Sequence, residues 1–136
     1  MSFADFAAVL AAASLGAMLF FSAIVAPTTF KALPEEHAGQ FLRTLFPYYF
    51  EINGVVAIAA GLLALRPLES VLLVAAGAMM VAVKIFLIPI INAARDEMLA
   101  GSQSAKADFD RWHRLSVIIN VVEMVMLVLA IILLLR

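Results

Sequence analysis

Four stretches of the chain run almost without a polar side chain: about Phe6–Ala26, Phe46–Leu65, Val71–Ile91 and Leu115–Leu135. Crossing a bilayer takes roughly 20 residues at 1.5 Å rise each, so every one of them is long enough to be a transmembrane helix. The first is preceded by Asp5 rather than by a basic segment, and its apolar run is longer than a signal peptide's, so it reads as a retained span. Polar residues gather unevenly between the stretches. Arg66-Pro67-Leu68-Glu69-Ser70 forms a tight turn between spans two and three, whereas the other two linkers are long and hold most of the charge. With four spans, both long linkers lie on one side of the membrane, and the short turn lies with the termini on the other.

The long linkers carry patterns of their own. Pro34 followed by Glu35 and Glu36 predicts a helix start, because proline fits the first helical position and acids suit the positive end of the helix dipole. Phe41, Leu42, Leu45 and Phe46 then make an apolar stripe, which predicts a short interfacial helix kinked or broken by Pro47 before span two. In the second linker Gly101-Ser102-Gln103-Ser104 is the strongest loop signal. Phe109, Trp112, His113 and Ser116 come next at helical spacing, so the fourth helix is expected to start near Asp108. The fold class that results is all-α, an integral membrane four-helix bundle, with residues 1–136 as one domain.

Composition narrows the function. Of 136 residues 65% are apolar and 14% are charged, and the mean hydropathy is +1.08. Soluble domains average about 45–50% apolar and about 25% charged, and a chain this short cannot enclose that much apolar surface in a water-soluble core. A soluble domain, a disordered chain and a nucleic-acid-binding protein are thereby excluded. The absence of cysteine excludes disulfides, thiolate catalysis and zinc or iron–sulfur sites built on thiolates. Lys31, Arg43, Arg95, Lys106, Arg111 and Arg114 fall on the long-linker side, against Arg66 and Arg136 opposite. The positive-inside rule then puts the long linkers in the cytoplasm and both termini outside.

The halves of the chain echo each other. Gly16-Ala17-Met18 precedes Pro27 much as Gly77-Ala78-Met79 precedes Pro89, and Phe46, Tyr49 and Asn53 match His113, Ser116 and Asn120 in spacing. Two hairpin repeats running in the same direction imply a pseudo-twofold axis along the membrane normal. Ala4, Ala8, Ala12 and Gly16 recur every four residues in span one, a small-residue stripe suited to close helix packing.

The candidate chemistry lies in the polar residues within the spans. A charge at mid-bilayer costs at least about 2.5–3.5 kcal/mol on insertion scales, so it faces inward and seeks a partner. Glu51, Lys84 and Glu123 are the charged residues inside the spans, accompanied by Asn53 and Asn120, with helix-breaking Pro27 and Pro89 nearby. Lys84 lies about 12 Å, and Glu123 about 15 Å, from the long-linker ends of their spans, which makes them natural ion-pair partners. Such a pair either fixes helix register or lines a cavity. The asparagines serve as interhelical hydrogen-bond partners or as ligands. His37 reads as a solvated linker residue, while His113 begins a span beside Trp112 and Ser116. Met79-Met80 and Met124/Met126 have the softness for copper(I), although methionine more often fills gaps in packing.

The stretch from Gly16-Ala17-Met18-Leu19-Phe20-Phe21 through Val25-Ala26-Pro27-Thr28-Thr29-Phe30, then Ala38-Gly39 and Phe46, resembles the start of the transmembrane protein 205-like family. Phe109-Asp110-Arg111-Trp112-His113-Arg114-Leu115-Ser116 and Asn120 resemble that family's later motif. The resemblance implies a small four-span protein of the kind many bacteria carry in the inner membrane, with a link to export or metal handling. It marks Pro27, Phe30, His113, Ser116 and Asn120, assigns none of them a catalytic role, and does not include Lys84 or Glu123.

These readings converge on a small transporter or channel-like protein for a solute or ion. Its site is Glu51, Asn53, Lys84, His113, Ser116, Asn120 and Glu123, and its partners are the lipid bilayer and further copies of itself. A non-catalytic scaffold subunit is the alternative, and a haem- or copper-binding bundle is disfavoured by the scarcity of histidine in the spans. No acid/base pair, nucleophile or phosphate-binding loop points to an enzyme, and no cofactor is expected.

Overall fold

Inside a bilayer each backbone N–H and C=O must be satisfied within the protein, which leaves the helix as the economical form for an apolar segment. The computed structural model describes all 136 residues and is helical over nearly all of them. Its four helices are α1 (Phe3–Ala32), α2 (Glu35–Ala64), α3 (Pro67–Leu99) and α4 (Gln103–Leu134). A helix of 30 residues is about 45 Å long and overreaches a hydrocarbon layer of about 30 Å.

That extra length absorbs the two long linkers. Leu33-Pro34 alone joins α1 to α2, and Ala100-Gly101-Ser102 joins α3 to α4. The helix expected at Glu35 does begin there, with Glu35 and Glu36 in its first turn, but it is not a separate interfacial piece. It runs through Pro47 into the span, because a proline orphans only the carbonyl one turn back, here that of the exposed Arg43. Helix α4 starts at Gln103, ahead of the expected Asp108, where the Ser102 hydroxyl accepts from the Ala105 N–H. At the opposite end Leu65 takes a left-handed φ of 52°, and Pro67 opens α3. The Arg66 guanidinium donates to the carbonyls of Leu133 and Leu134 at 3.1 and 3.4 Å, satisfying acceptors that the end of α4 would otherwise leave free.

The helices pack in a ring, α1 against α2, α2 against α3, α3 against α4 and α4 against α1, with α2 and α3 in the most extensive contact. Glycine makes that contact possible. A Cβ added at Gly77 would lie 2.6 Å from the Gly54 carbonyl oxygen and 2.7 Å from the Ile58 side chain. Gly54 in turn faces the Gly77 carbonyl, and Gly61 faces Val74. With Ala57, Ala60 and Ala64 also buried, the small-residue seam belongs to α2 and α3. The stripe expected on α1 divides: Ala8 is buried, but Ala12 and Gly16 face outward, and α1 packs through Ala7, Ala11, Ser14 and Met18. Only 31 residues are buried, so side chains such as Leu19, Phe20, Phe86 and Val125 cover the outside with an apolar surface suited to lipid.

Both odd-numbered helices contain one widened, π-helical turn, at Phe21–Val25 in α1 and at Val83–Leu87 in α3. Each ends two residues before a proline, Pro27 or Pro89. The N–H just ahead of the proline reaches back five residues, Ala26 to Phe21 and Ile88 to Val83. Widening the turn makes room for a ring that would otherwise collide with the preceding carbonyl. The halves thus share a structural device as well as a sequence pattern.

Gly77→Val should cost about 1–3 kcal/mol through overpacking of the α2–α3 seam. Gly16→Ala, with nothing within 4 Å of its added carbon, should be neutral or stabilising by up to about 1 kcal/mol. Thermal unfolding of the two variants in one detergent checks both, and equal melting temperatures would contradict the assignment of the seam.

Candidate functional site

Helix α4 presents His113, Ser116, Asn120 and Glu123 at intervals of three, four and three residues, which places them on one face. The face descends from the end of the bundle where α1 joins α2 and α3 joins α4, here the loop end. His113 is exposed, Ser116 and Asn120 are half-buried, and Glu123 is 0% exposed. Glu123 lies about 15 Å along the axis from His113. Both of its carboxyl oxygens are buried and make no well-formed hydrogen bond, the Asn120 side chain being the polar group beside them.

Lys84 does not pair with Glu123. Its Nζ lies 2.6 Å from Glu51 Oε2, so the ion pair joins α2 to α3 and leaves Glu123 alone. The pair is on the outer side of the bundle, with 31% of the lysine and 50% of the glutamate side chain exposed. Equal depth matches Lys84 with Glu123, but rotation about the helix axis decides the pairing, and Lys84 sits within the widened turn of α3.

Asn53 and Asn120, equivalent in the repeat, occupy different places. Asn53 is buried between α1 and α2, where it accepts from the Ser14 hydroxyl at 2.9 Å and donates to the Tyr49 carbonyl at 2.8 Å. Asn120 donates to the Tyr49 hydroxyl at 2.9 Å and accepts from Ser22 at 3.5 Å, tying α4 to α2 and α1. Ser22 belongs to the widened turn of α1, as Lys84 does to that of α3. Tyr49 is held by rings, with Phe21 at 4.5 Å and Phe50 at 4.9 Å between centroids.

Above this layer the His113 ring stacks on Phe109 at 5.7 Å, and Ser116 donates to the His113 carbonyl at 2.7 Å. Between α2, α3 and α4 is a cavity of about 50 Å³ whose polar lining is Arg43, Asn92, His113 and Ser116, with Phe46 and Phe50 among its walls. A wider groove of about 580 Å³ opens beyond it, lined by Glu36, Gln40, Arg43, Thr44, Asn92, Arg95 and Asp96. Arg43 and Asn92 belong to both. Arg43 makes a forked pair with Asp96 at 2.5 and 3.0 Å, and the Arg95 guanidinium lies over Gly39, where any Cβ would overlap it.

The site therefore keeps His113, Ser116, Asn120 and Glu123 together, and sets Glu51–Lys84 and Asn53 apart from them. Phe30 is 54% exposed on the outside of α1, and Pro27 and Pro89 act through the backbone. Arg43, Tyr49, Asn92 and Asp96 join the site; the repeat spacing singles out Tyr49 as the counterpart of Ser116, and nothing in the spacing marks the other three. Arg43 and Asp96 pair across 53 residues, a separation that leaves no local signal.

A double-mutant cycle separates the two pairings. Glu51→Gln and Lys84→Met should show a coupling in thermal stability within the roughly 0.5–3 kcal/mol range of residues in contact. Glu123→Gln and Lys84→Met should be additive. The reverse pattern would restore the Lys84–Glu123 pair.

The family model for a domain of unknown function, DUF4149, matches residues 9–100, which takes in nearly all of α1 and the whole of α2 and α3. Helix α4, with Phe109 to Asn120 and Glu123, lies outside the match. No curated protein and no solved structure matches the chain. With two thirds of its length matched, this four-helix membrane protein belongs to the DUF4149 family.

Proposed function

We propose that the protein is a small transporter or channel-like protein that passes a small solute or ion by way of Glu123. The observation that carries this reading is the isolation of that side chain, which is fully enclosed with neither oxygen hydrogen-bonded. A buried carboxylate with no donor and no cation is costly, and ionisable groups kept at such cost inside a membrane mark ion and proton pathways. The polar face from His113 to Asn120 leads from Glu123 toward the loop end. Six of the nine basic residues on that end support a cytoplasmic placement, with the termini outside.

The partly open cavity of about 50 Å³ has room for a few waters. A larger cargo would have to pass between subunits of a homo-oligomer, which is the assembly we propose for it. The resemblance to the transmembrane protein 205-like family supports export or metal handling as the direction in which to look for cargo.

Reconstituted liposomes test the proposal with two probes, an entrapped pH dye for proton equivalents and light scattering for glycerol. The wild-type protein should accelerate at least one flux over protein-free vesicles. Glu123→Gln should reduce it by about tenfold or more, equivalent to ~1.4 kcal/mol in the barrier, while Glu123→Asp retains part of it. Undiminished flux in a folded, monodisperse Glu123→Gln protein would refute the proposal.

A further inference from the structure

We infer that Glu123 is a proton site loaded from the loop end, through the cavity between Asn92, His113 and Ser116, with the Arg43–Asp96 ion pair at its mouth. The inference deepens the transport reading and rests on it for the purpose of the proton, while the enclosed carboxyl group and the cavity nearer the loop end on the same face of α4 stand on geometry. Neutralising an enclosed carboxylate takes either a proton or a cation. Hard metal cations collect about six or more oxygens. Around Glu123 no three His, Asp or Glu side chains converge, and the Asn120 carbonyl oxygen already accepts from Ser22. A proton needs one carboxyl oxygen and nothing else.

Charged groups on the surrounding helices do not supply the missing neutralisation. Helix α1 has no ionisable side chain between Asp5 and Lys31. Helix α2 brings Tyr49 and Glu51, and α3 brings Lys84, which Glu51 already engages. On α4 itself the nearest charged or titratable residues are Arg114, which is exposed, and His113, at the cavity.

The route runs in three stages. Water in the open groove meets Arg43 and Asn92, which also line the cavity. Asp96 and Glu36 balance Arg43 and Arg95 in the lining of the groove, so the mouth carries no net positive charge to repel an incoming proton. The cavity has room for a few waters and is polar on the side of Asn92, His113 and Ser116, the conditions under which water occupies such a space. Below it, the Tyr49 hydroxyl accepts from Asn120 and so keeps its own hydrogen to give onward. The proton taken from loop-end water ends on a Glu123 oxygen, and its release reverses the same bond.

Infrared spectroscopy of the full chain in neutral phospholipid vesicles tests this directly. The carbonyl stretch of a protonated carboxylic acid is assigned to Glu123 by its loss in Glu123→Gln, and its shift in deuterated buffer times the exchange. Ser116→Leu and Asn92→Leu, which fill the cavity from different helices, should each keep the band and slow its shift at least about tenfold. If one of them does not fold, the other carries the test. Replacing choline by sodium should leave the band unchanged. The inference is overturned if no such band exists at any pH where the protein stays folded, if sodium removes it, or if a folded plugged variant exchanges as fast as wild type. Flux that survives Glu123→Gln while the band behaves as expected would remove the transport reading and keep the proton site. Flux lost in Glu123→Gln with exchange indifferent to the plugs would do the opposite.

Discussion

Helices in lipid gain nothing from burying apolar side chains against each other, since the acyl chains outside are just as apolar. What holds two of them in one register is close backbone contact, and in this protein the contact is at Gly54 and Gly77. The register it fixes between α2 and α3 determines which charges can meet. Arg43 reaches Asp96 toward the loop end, and Glu51 reaches Lys84 deeper down, both across the same helix pair. With Lys84 engaged by Glu51, α4 packs against the remaining faces with its own carboxylate enclosed and unmatched. The isolation of Glu123 is thus a consequence of how tightly two other helices approach.

The backbone shows a second accommodation to lipid. Pro27 and Pro89 each remove a donor and crowd a carbonyl in a medium with no water to repair the loss. The widened turns ahead of them resolve the clash without breaking the rod. They also carry Ser22 and Lys84, so the places where the helical ladder is loosened are those where α1 and α3 offer polar side chains to their neighbours.

Hydropathy alone was enough to read the four spans, the short turn and the bundle, because a lipid-facing helix is apolar nearly all round. The descending polar face of α4 was legible too, since His113, Ser116, Asn120 and Glu123 share one helical face by spacing alone. Pairing was not. Depth comes from counting residues along an axis, whereas pairing depends on rotation about it and on which helices are neighbours, and the widened turn at Val83–Leu87 rotates the remainder of α3 about its axis. The helix start at Glu35 was legible but its continuation through Pro47 was not, and Gly101-Ser102-Gln103-Ser104 looked like a loop because glycine and polar residues are common to loops and to helix ends that emerge from a membrane. The glycines were visible, but only the facing helix reveals that Gly54 needs Gly77 and that Gly16 needs nothing.

The central claim, a carboxyl group enclosed without a partner, is tested most directly by the thermal stability of Glu123→Met in lipid. An apolar side chain of similar length removes the burial cost, and the neighbouring Asn120 amide keeps its bond to the Tyr49 hydroxyl. Replacing buried ionic groups with apolar ones has stabilised other proteins by about 1–4 kcal/mol, so the melting temperature should rise by several degrees. A lower melting temperature would contradict the account, because it would mean that Glu123 holds the bundle together through a partner of its own.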